Sequence, residues 1–244
     1  MPAWQDPAAR LFNPDPAISI VPIMPGQVCV VVDNALRDPQ GLVDWAAAQT
    51  FSPPRDFPYP GLVLAAPSGI TQRVSDCFAT RARSQLGARR TQSVAIRFSM
   101  VTSPPAELAP IQWQCHRDRL AVEPERVIFA AMVLYLFHDP ALGGTSFYRP
   151  RLNEEQLERM VTDSEQLSAA DFGARYGLQA SYMFGSNPNF ELVSSVPAAW
   201  NRMIFYDGGL FHSADISQPS LNSADPRTGR LTLNGFFTCR RNAG

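Results

Sequence analysis

The sequence predicts a mainly β fold with a few flanking helices, and two observations indicate it. The 22 prolines outnumber the 15 glycines and are spread along the whole chain, a composition that favours short strands and turns over long helices. From residue 94 onwards, short apolar runs follow one another and are separated by turn-forming residues. With 244 residues, of which 45% are hydrophobic, the chain is long and apolar enough to form the core of one large domain.

The N-terminal third reads as a scaffold of strands and helices. The apolar run Gln27 to Val32 predicts a strand, and Asp38 followed by Pro39 predicts the start of a helix. A proline-rich linker, Ser52 to Pro67, then leads to a helix from about Gly69 to Leu86. We therefore treat residues 1–90 as an N-terminal scaffold.

The rest of the chain contains two groups of strands with a helical insertion between them. Asn153 followed by Gln156 is a capping-box pattern that opens a helical stretch from Leu152 to about Gly177. The predicted strands are Val94 to Val101, Ile111 to Asp118, Val127 to Phe137, Thr145 to Tyr148, Glu191 to Val196, Arg202 to Tyr206 and Arg230 to Cys239. The sequence thus predicts one domain, 1–244, with core strands in 93–148 and 190–240 and a helical flap in 152–185.

Charge and cysteine usage exclude several classes of protein. A net charge of −1 lacks the basic footprint of a nucleic-acid-binding protein. All 21 basic residues are arginine, so no lysine is present to form a Schiff base. The four cysteines form no CxxC pair, which excludes a zinc ribbon and a redox dithiol of that type.

The sequence also contains no targeting pattern. The first residues lack the basic and apolar regions of a signal peptide, and the longest apolar stretch is shorter than the roughly 20 residues that a transmembrane helix needs. We expect a cytoplasmic protein without a nucleic-acid or membrane partner, present as a monomer or a homodimer.

Three residues form a candidate metal site. Residues two apart on a strand point to the same side, so the side chains of His116 and Asp118 can converge on one ion, and His212 can supply a third ligand. Two histidines and one carboxylate form the facial triad that holds Fe(II) with open coordination positions. An HxD triplet also occurs by chance, so this pattern needs support from elsewhere in the chain.

The last predicted strand adds a candidate anion site. Leu231 and Leu233 alternate with Arg230, Thr232 and Asn234, which places the arginine and the hydroxyl on one face. An arginine on the inner face of a strand needs an anionic partner, and it can bind a carboxylate through two hydrogen bonds. That partner is either an internal Asp or Glu or the carboxylate of a ligand.

In this order the motifs resemble the Fe(II)/2-oxoglutarate-dependent dioxygenases, and the prolyl-hydroxylase-like branch fits best. The resemblance covers about Arg97 to Arg240. It rests on the His116-Arg117-Asp118 triplet, the segment Val133 to Leu136 before the Gly143-Gly144 turn, the segment Asn201 to Asp207 before His212, and Gly229 to Thr232. It implies a bacterial member of the superfamily with a double-stranded β-helix core, also described as a jelly roll or cupin-like.

The resemblance also implies roles for individual residues. His116, Asp118 and His212 would bind Fe(II), and Arg230 would pair with the far carboxylate of 2-oxoglutarate, helped by Thr232 and Tyr135. Together with O₂ these cofactors imply a hydroxylase that acts on a small molecule, an amino acid or a peptide. A core aromatic without a ligand role is the alternative for Tyr135.

Two departures from the family pattern leave other functions open. The step from His212 to Arg230 (230 − 212 = 18 residues) is wider than in most of these hydroxylases, and the strand Ala95 to Val101 carries no tyrosine, so that Phe98 or Met100 fills the region. The alternatives are a 2-oxoglutarate-independent cupin-like metal protein, such as an isomerase or a zinc hydrolase, and a non-catalytic sensor or partner-binding module.

Overall fold

The computed structural model describes residues 11–118 and 126–241. The described residues form ten strands and four α-helices. The strands are β1 (Ala17–Met24), β2 (Gln27–Asp33), β3 (Gly61–Ala65), β4 (Ala88–Val101), β5 (Val127–Tyr135), β6 (Thr145–Pro150), β7 (Phe190–Val196), β8 (Met203–Asp207), β9 (Phe211–Ala214) and β10 (Leu231–Arg241). The helices are α1 (Pro39–Ala47), α2 (Ser68–Arg81), α3 (Glu154–Gln166) and α4 (Ala169–Tyr176).

The strands form two antiparallel sheets whose connections define a double-stranded β-helix. The larger sheet has the order β1-β2-β8-β5-β10-β4-β3 and the smaller one the order β7-β6-β9. From β5 onwards the chain passes back and forth between the sheets, with β5, β8 and β10 in the larger and β6, β7 and β9 in the smaller. An isolated bridge between His116 and His212 extends the smaller sheet beyond β9. The predicted mainly β fold class is confirmed.

Strand β5 shows why a continuous apolar run lies at the centre of this fold. Alternate residues point to opposite faces of a strand. Met132 and Leu134 pack with α1 and α2 on the outer face of the larger sheet, while Ala131 and Tyr135 pack in a second cluster between the two sheets. Because both faces are covered, the run contains no polar alternation.

Helices α1 and α3 begin where their capping residues predict. The Asp38 carboxylate accepts a hydrogen bond from the amide of Gly41 at 2.8 Å, which caps α1. Asn153 and Gln156 cap α3 reciprocally, with two backbone-to-side-chain bonds of 2.9 Å. The predicted helical insertion is thus present, as two helices that pack with residues 110–113 on the side of the smaller sheet.

Several predicted boundaries were wrong. Ile111 to Asp118 is not a strand, because Pro110–Trp113 forms a 3-10 helix. Pro110 fixes the first φ angle of this helix, and the Gln112 side chain accepts from the amide of Ala109 at 2.8 Å.

Other elements also differ from the prediction. The proline-rich linker contains β3, and β1 and β9 were not predicted. Helix α2 ends at Arg81 rather than Leu86. No helix within the described residues is long and apolar enough to cross a membrane.

Candidate metal centre and adjoining cavity

The side chains of His116, Asp118 and His212 lie together at one end of the space between the two sheets. Nε2 of His116 is 3.6 Å from Oδ1 of Asp118, and Nε2 of His212 is 3.5 Å from Oδ2. One ligand atom from each residue lies within 4.8 Å of the other two. Two imidazoles and one carboxylate at these separations form a donor set that can hold a divalent metal ion.

Backbone pairing with β9 and the turn before it positions His116 and Asp118, which lie outside any regular strand. The amide of His116 donates to the carbonyl of His212 at 3.0 Å, and the amide of His212 donates back at 2.9 Å. The amide of Asp118 donates to the carbonyl of Gly208 at 2.7 Å. The segment 116–118 is therefore fixed against the turn that leads into β9, although the first part of the strand predicted for residues 111–118 is a 3-10 helix.

The position of the Asp118 carboxylate depends on the absence of a side chain at Gly208. A Cβ atom at residue 208 would lie 2.9 Å from Oδ2 of Asp118 and 3.0 Å from the carbonyl oxygen of Phe129. Contacts this short do not occur without a shift of one partner. Glycine at 208 thus leaves the space that the Asp118 carboxylate occupies.

His212 is held in the protonation state that a metal ligand needs. Burial lowers the pKa of His212 to about 4, against the opposing effect of Asp118, so the imidazole is neutral at pH 7. Its Nδ1 lies 2.8 Å from the carbonyl oxygen of Leu210. Because a carbonyl only accepts, Nδ1 carries the proton and Nε2 presents its lone pair towards Asp118 and His116.

Asp118 has one oxygen that no described residue hydrogen-bonds. Burial alone would raise the pKa of this carboxyl, but His212, His116 and Arg97 together lower it below its ordinary value, so Asp118 is ionised at neutral pH. Its Oδ2 is buried and accepts no hydrogen bond from residues 11–118 or 126–241. A buried, ionised carboxylate that has an unsatisfied oxygen and lies near two imidazole nitrogens fits a site for a metal ion.

The three ligands border a cavity of about 130 Å³ between the sheets. This is smaller than the roughly 300 to 1,000 Å³ of typical drug-sized ligand pockets, so the cavity suits a ligand of few atoms. Its walls come from both sheets and from the segment before β3. The lining residues include His116, Asp118, His212, Tyr59, Arg97, Ala131, Val133, Thr145, Tyr206, Arg230, Thr232, Asn234 and Phe236.

Arg230 and Thr232 both line this cavity, on the face that their alternation predicted. Nε of Arg230 donates to the carbonyls of Leu142 at 2.9 Å and Gly143 at 3.2 Å, and Nη2 donates to that of Gly144 at 2.9 Å. Within the described residues no carboxylate contacts this guanidinium, which is only 4% exposed. The internal Asp or Glu partner considered from the sequence is therefore not observed, and one edge of the guanidinium is bound to the turn.

Tyr135 does not reach the cavity directly. Its side chain is fully buried between the sheets and packs edge-on against Phe137. Its hydroxyl hydrogen-bonds to Oγ1 of Thr145 at 2.8 Å, and Thr145 lines the cavity. Any contribution of Tyr135 to a ligand thus passes through the Thr145 hydroxyl.

Arg97 is a cavity residue that the sequence analysis missed. Phe98 and Met100, which were expected in this region, point to the opposite face of β4 and pack with α1 and α2, so that expectation was wrong. Arg97 lies on the cavity side instead, and Tyr59 enters from the segment before β3. The alternation along β4 contained the signal, because Ile96, Phe98 and Met100 mark the core face and leave Arg97 facing inwards.

A family profile decides the classification of the chain. The profile described as "Family of unknown function (DUF6445)" matches residues 14–237. The chain belongs to this family. No curated protein matches the DUF6445 chain.

Solved structures that resemble this DUF6445 member are distant from it in sequence. HygX from Streptomyces hygroscopicus, crystallised with nickel and 2-oxoglutarate bound, is 11% identical with a TM-score of 0.47, over 86% of this chain and 82% of HygX. SnoK, a non-heme alpha ketoglutarate dependent carbocyclase from nogalamycin biosynthesis, is 14% identical with a TM-score of 0.47, over 89% and 81%. SnoN, an epimerase from the same biosynthesis, is 12% identical with a TM-score of 0.44, over 88% and 81%. The likeness concerns the fold.

A wider groove of about 910 Å³ begins on the exposed side of His116 in the DUF6445 chain. Helix α3 contributes Leu157 and Val161 to its lining, and β9 contributes Phe211. At its edge Arg117 and Glu154 form a bidentate ion pair, with two bonds of 2.9 Å. Since the side chain of His116 is 61% exposed, the metal site is open towards this groove.

His138, the third histidine of the chain, lies outside the site. Its ring stacks on that of Trp200 with centroids 3.9 Å apart, and the residue is exposed. It is not among the residues that line the cavity or the groove. We therefore assign it a packing role at the surface.

Proposed function

We propose that this protein is a non-haem Fe(II)/2-oxoglutarate-dependent oxygenase, and that it hydroxylates a small-molecule, amino-acid or peptide substrate. The observation that carries the proposal is the convergence of His116, Asp118 and His212 beside a small cavity whose walls bear arginine. Such a site offers a metal triad and a compartment for an anionic cosubstrate in one space. The assignment to the prolyl-hydroxylase-like branch rests on the order of the sequence motifs alone.

In this proposal the triad residues hold Fe(II) through Nε2 of each histidine and through the Asp118 carboxylate. Bound Fe(II), together with 2-oxoglutarate and O₂, supplies the oxidising chemistry for hydroxylation. Leu210 keeps His212 in the correct tautomer through its carbonyl oxygen. Apolar side chains of Ala131 and Val133 line the cavity and exclude bulk water from it.

We assign Arg230 and Thr232 to the wall that receives the far carboxylate of 2-oxoglutarate. Arg230 contributes a buried positive charge. The Thr232 hydroxyl donates its one proton to the carbonyl of Ser99 at 3.3 Å and accepts from Nδ2 of Asn234 at 3.0 Å. It donates to a ligand carboxylate when that proton turns away from Ser99, while the bond from Asn234 holds its oxygen at the cavity wall.

The groove beside His116 is the proposed substrate site. It is larger than the cavity and opens at the exposed metal ligand, so a substrate C–H bond could lie near the metal while the cosubstrate occupies the interior. Helix α3 from the flap forms one of its walls. The irregular loop 214–229 borders a neighbouring depression with Ile216 and Pro219, and it is our second candidate for substrate contacts.

Anaerobic titration tests the proposal. Protein loaded with Fe(II) is titrated with 2-oxoglutarate while the weak visible charge-transfer band of the chelate is followed, and decarboxylation is then measured after O₂ is admitted. We expect the band and substrate-independent release of CO₂. Bound iron without a band and without decarboxylation would exclude the proposed function.

One observation favours a second candidate, a metal protein of cupin type that does not use 2-oxoglutarate. The Nε edge of Arg230 is bound to the carbonyls of Leu142 and Gly143, which leaves fewer donors for a cosubstrate. In that case metal binding is tight and 2-oxoglutarate changes neither the spectrum nor the thermal stability of the metal-loaded protein. The same titration separates the two candidates.

A further inference from the structure

Among the described residues two arginines face the cavity, and they differ in what their guanidinium groups already bind. Arg97 on β4 and Arg230, just before β10, both line it. The edge of Arg230 formed by Nε and Nη2 donates to three backbone carbonyls. By contrast, Nε of Arg97 is buried and has no hydrogen-bond partner in the part of the chain that the structure describes. A buried donor without an acceptor is uncommon in folded proteins and costs stability, so it needs an explanation.

Aromatic contacts hold the Arg97 guanidinium in place without providing it with an acceptor. Its Cζ lies 4.0 Å from the ring centroid of Phe57 and 4.4 Å from that of Phe236. Cation–π contacts of this kind stabilise the charge, but the N–H donors still need oxygen partners. Within the described residues no carboxylate forms an ion pair with Arg97, and the group is therefore oriented but incompletely satisfied.

The surroundings of Arg97 suit a carboxylate that enters from the cavity. Asn234 lies directly opposite Arg97 in the β4–β10 register. Tyr59 lies within electrostatic range of both arginines, and burial raises the pKa of its hydroxyl to about 12, so this group is a proton donor at neutral pH. The only carboxylate among the described cavity-lining residues is Asp118, which belongs to the metal triad. Two cations, a phenol and an amide thus face a space with one internal anion.

We infer that Arg97 is the residue that binds the carboxylate of the ligand in this cavity directly, through the free edge of its guanidinium. The inference rests on the proposed function for the identity of that ligand, 2-oxoglutarate, and of the group, its far carboxylate. Arg230 adds positive charge and fixes the turn at Gly143 and Gly144. The planar fork of Arg97 matches a carboxylate bidentately, which lysine cannot reproduce.

Calorimetric binding tests this inference with a readout other than turnover. The protein is loaded with Ni(II) and titrated with 2-oxoglutarate, and metal-free protein is titrated with glutarate, which carries both carboxylates but lacks the 2-oxo group that chelates a metal. The variants are Arg97→Leu, Arg97→Lys and, as a matched control, Arg90→Leu on the exposed part of the same strand. We expect Arg97→Leu to weaken 2-oxoglutarate binding by roughly 10- to 100-fold with unchanged nickel stoichiometry. Arg90→Leu should bind like the wild type.

The outcomes separate this inference from the proposed function. Wild-type affinity for 2-oxoglutarate in Arg97→Leu overturns the role of Arg97 and leaves the proposed function standing. If the wild type binds glutarate but not 2-oxoglutarate, and Arg97→Leu loses glutarate, the carboxylate site stands and the proposed function fails. If neither ligand binds, both are overturned. Should Arg97→Leu fail to fold, Arg97→Lys decides in its place: weakened binding supports the inference, and wild-type affinity overturns it.

Discussion

The backbones of His116 and His212 exchange two hydrogen bonds, of 3.0 Å and 2.9 Å, although 96 residues separate them in the chain (212 − 116 = 96). This bridge brings the two imidazole rings to a centroid distance of 4.5 Å. Asp118 lies between their Nε2 atoms, at 3.6 Å and 3.5 Å. The metal centre therefore depends on the closure of the β-helix, because neither half of the chain contains the complete donor set.

We predict that His116→Ala abolishes stoichiometric binding of a divalent metal. The two remaining ligands leave the ion with one imidazole and one carboxylate, which is a weak site. Metal content after equilibration with Fe(II) or Ni(II), measured by elemental analysis, checks the prediction. His138→Ala is the matched control, since this histidine stacks on Trp200 away from the site and its loss should leave the stoichiometry unchanged. Equal metal content in His116→Ala and the wild type would rule out the triad.

We predict that Gly208→Ala weakens metal binding without unfolding the protein. The new methyl group would meet Oδ2 of Asp118 at 2.9 Å, so the carboxylate must rotate away from the two histidines. We expect metal affinity to fall by more than tenfold, and a tenfold loss corresponds to about 1.4 kcal/mol of binding free energy. Metal titration monitored by calorimetry measures the effect.

Gly69→Ala is the control for that substitution. Residue 69 lies in α2, and an added Cβ atom meets nothing within 4 Å. Alanine in a helix is favoured over glycine by up to about 1 kcal/mol, so this variant should be as stable as the wild type or more stable, with unchanged metal affinity. Wild-type metal affinity in Gly208→Ala would show that Asp118 tolerates displacement or does not ligate.

Much of this fold and part of the site were predictable from local patterns, and the remainder depends on contacts between distant segments. The apolar run of β5 and the Asn153–Gln156 capping box are local signals, and both elements occur where expected. His116, Asp118 and His212 were identified from residue type and order, and they do converge. The strand predicted for residues 111–118 failed because Pro110 starts a 3-10 helix, while the same-side placement of His116 and Asp118 is produced instead by pairing with residues 208–212.

The partners of the arginines could not be predicted in the same way. The bonds from Arg230 to the carbonyls of Leu142 and Gly144 span more than 80 residues and involve backbone atoms, which carry no residue-type signal. Arg97 was recognisable in principle, since its neighbours Ile96 and Phe98 fix the core face of β4. Tyr59 was not, because it lies outside any regular strand and reaches the cavity through the tertiary fold.

We predict that Arg230→Leu destabilises the protein by roughly 2 to 5 kcal/mol, because the buried carbonyls of Leu142 and Gly143 lose the Arg230 donor and that of Gly144 keeps only the amide of Asp215. Glycine is required in this turn, since a Cβ atom at Gly143 would overlap the carbonyl oxygen of Asp215, so the turn cannot easily repack. Urea unfolding measures the change. The control is Arg227→Leu, three residues before Arg230 in the chain. The ion pair between Arg227 and Asp44, at 3.5 Å, is exposed and should contribute no more than about 1 kcal/mol to stability. Equal stability of the two variants would show that the turn does not depend on Arg230.

We predict that Asp163→Asn lowers the melting temperature at pH 7 and that the difference from the wild type disappears in acid. Asp163 on α3 accepts hydrogen bonds from the Tyr176 hydroxyl at 2.6 Å and from Nη1 of Arg175 at 2.8 Å, which join α3 to α4. These two bonds, that from Tyr176 first, lower the pKa of the Asp163 carboxyl below its ordinary value. A group with a lowered folded-state pKa stabilises the protein above the unfolded pKa, which is about 3.9 for Asp, and this contribution is lost as the pH falls through the folded value. The difference in melting temperature between the wild type and Asp163→Asn should thus be constant from neutral pH down to about pH 5 and should disappear below about pH 4.

The control is Glu165→Gln, which removes an exposed carboxylate on the same helix and should have the melting temperature of the wild type at neutral pH. A gap that persists unchanged at pH 3 would mean that asparagine disturbs the packing of the two helices rather than removing a charge.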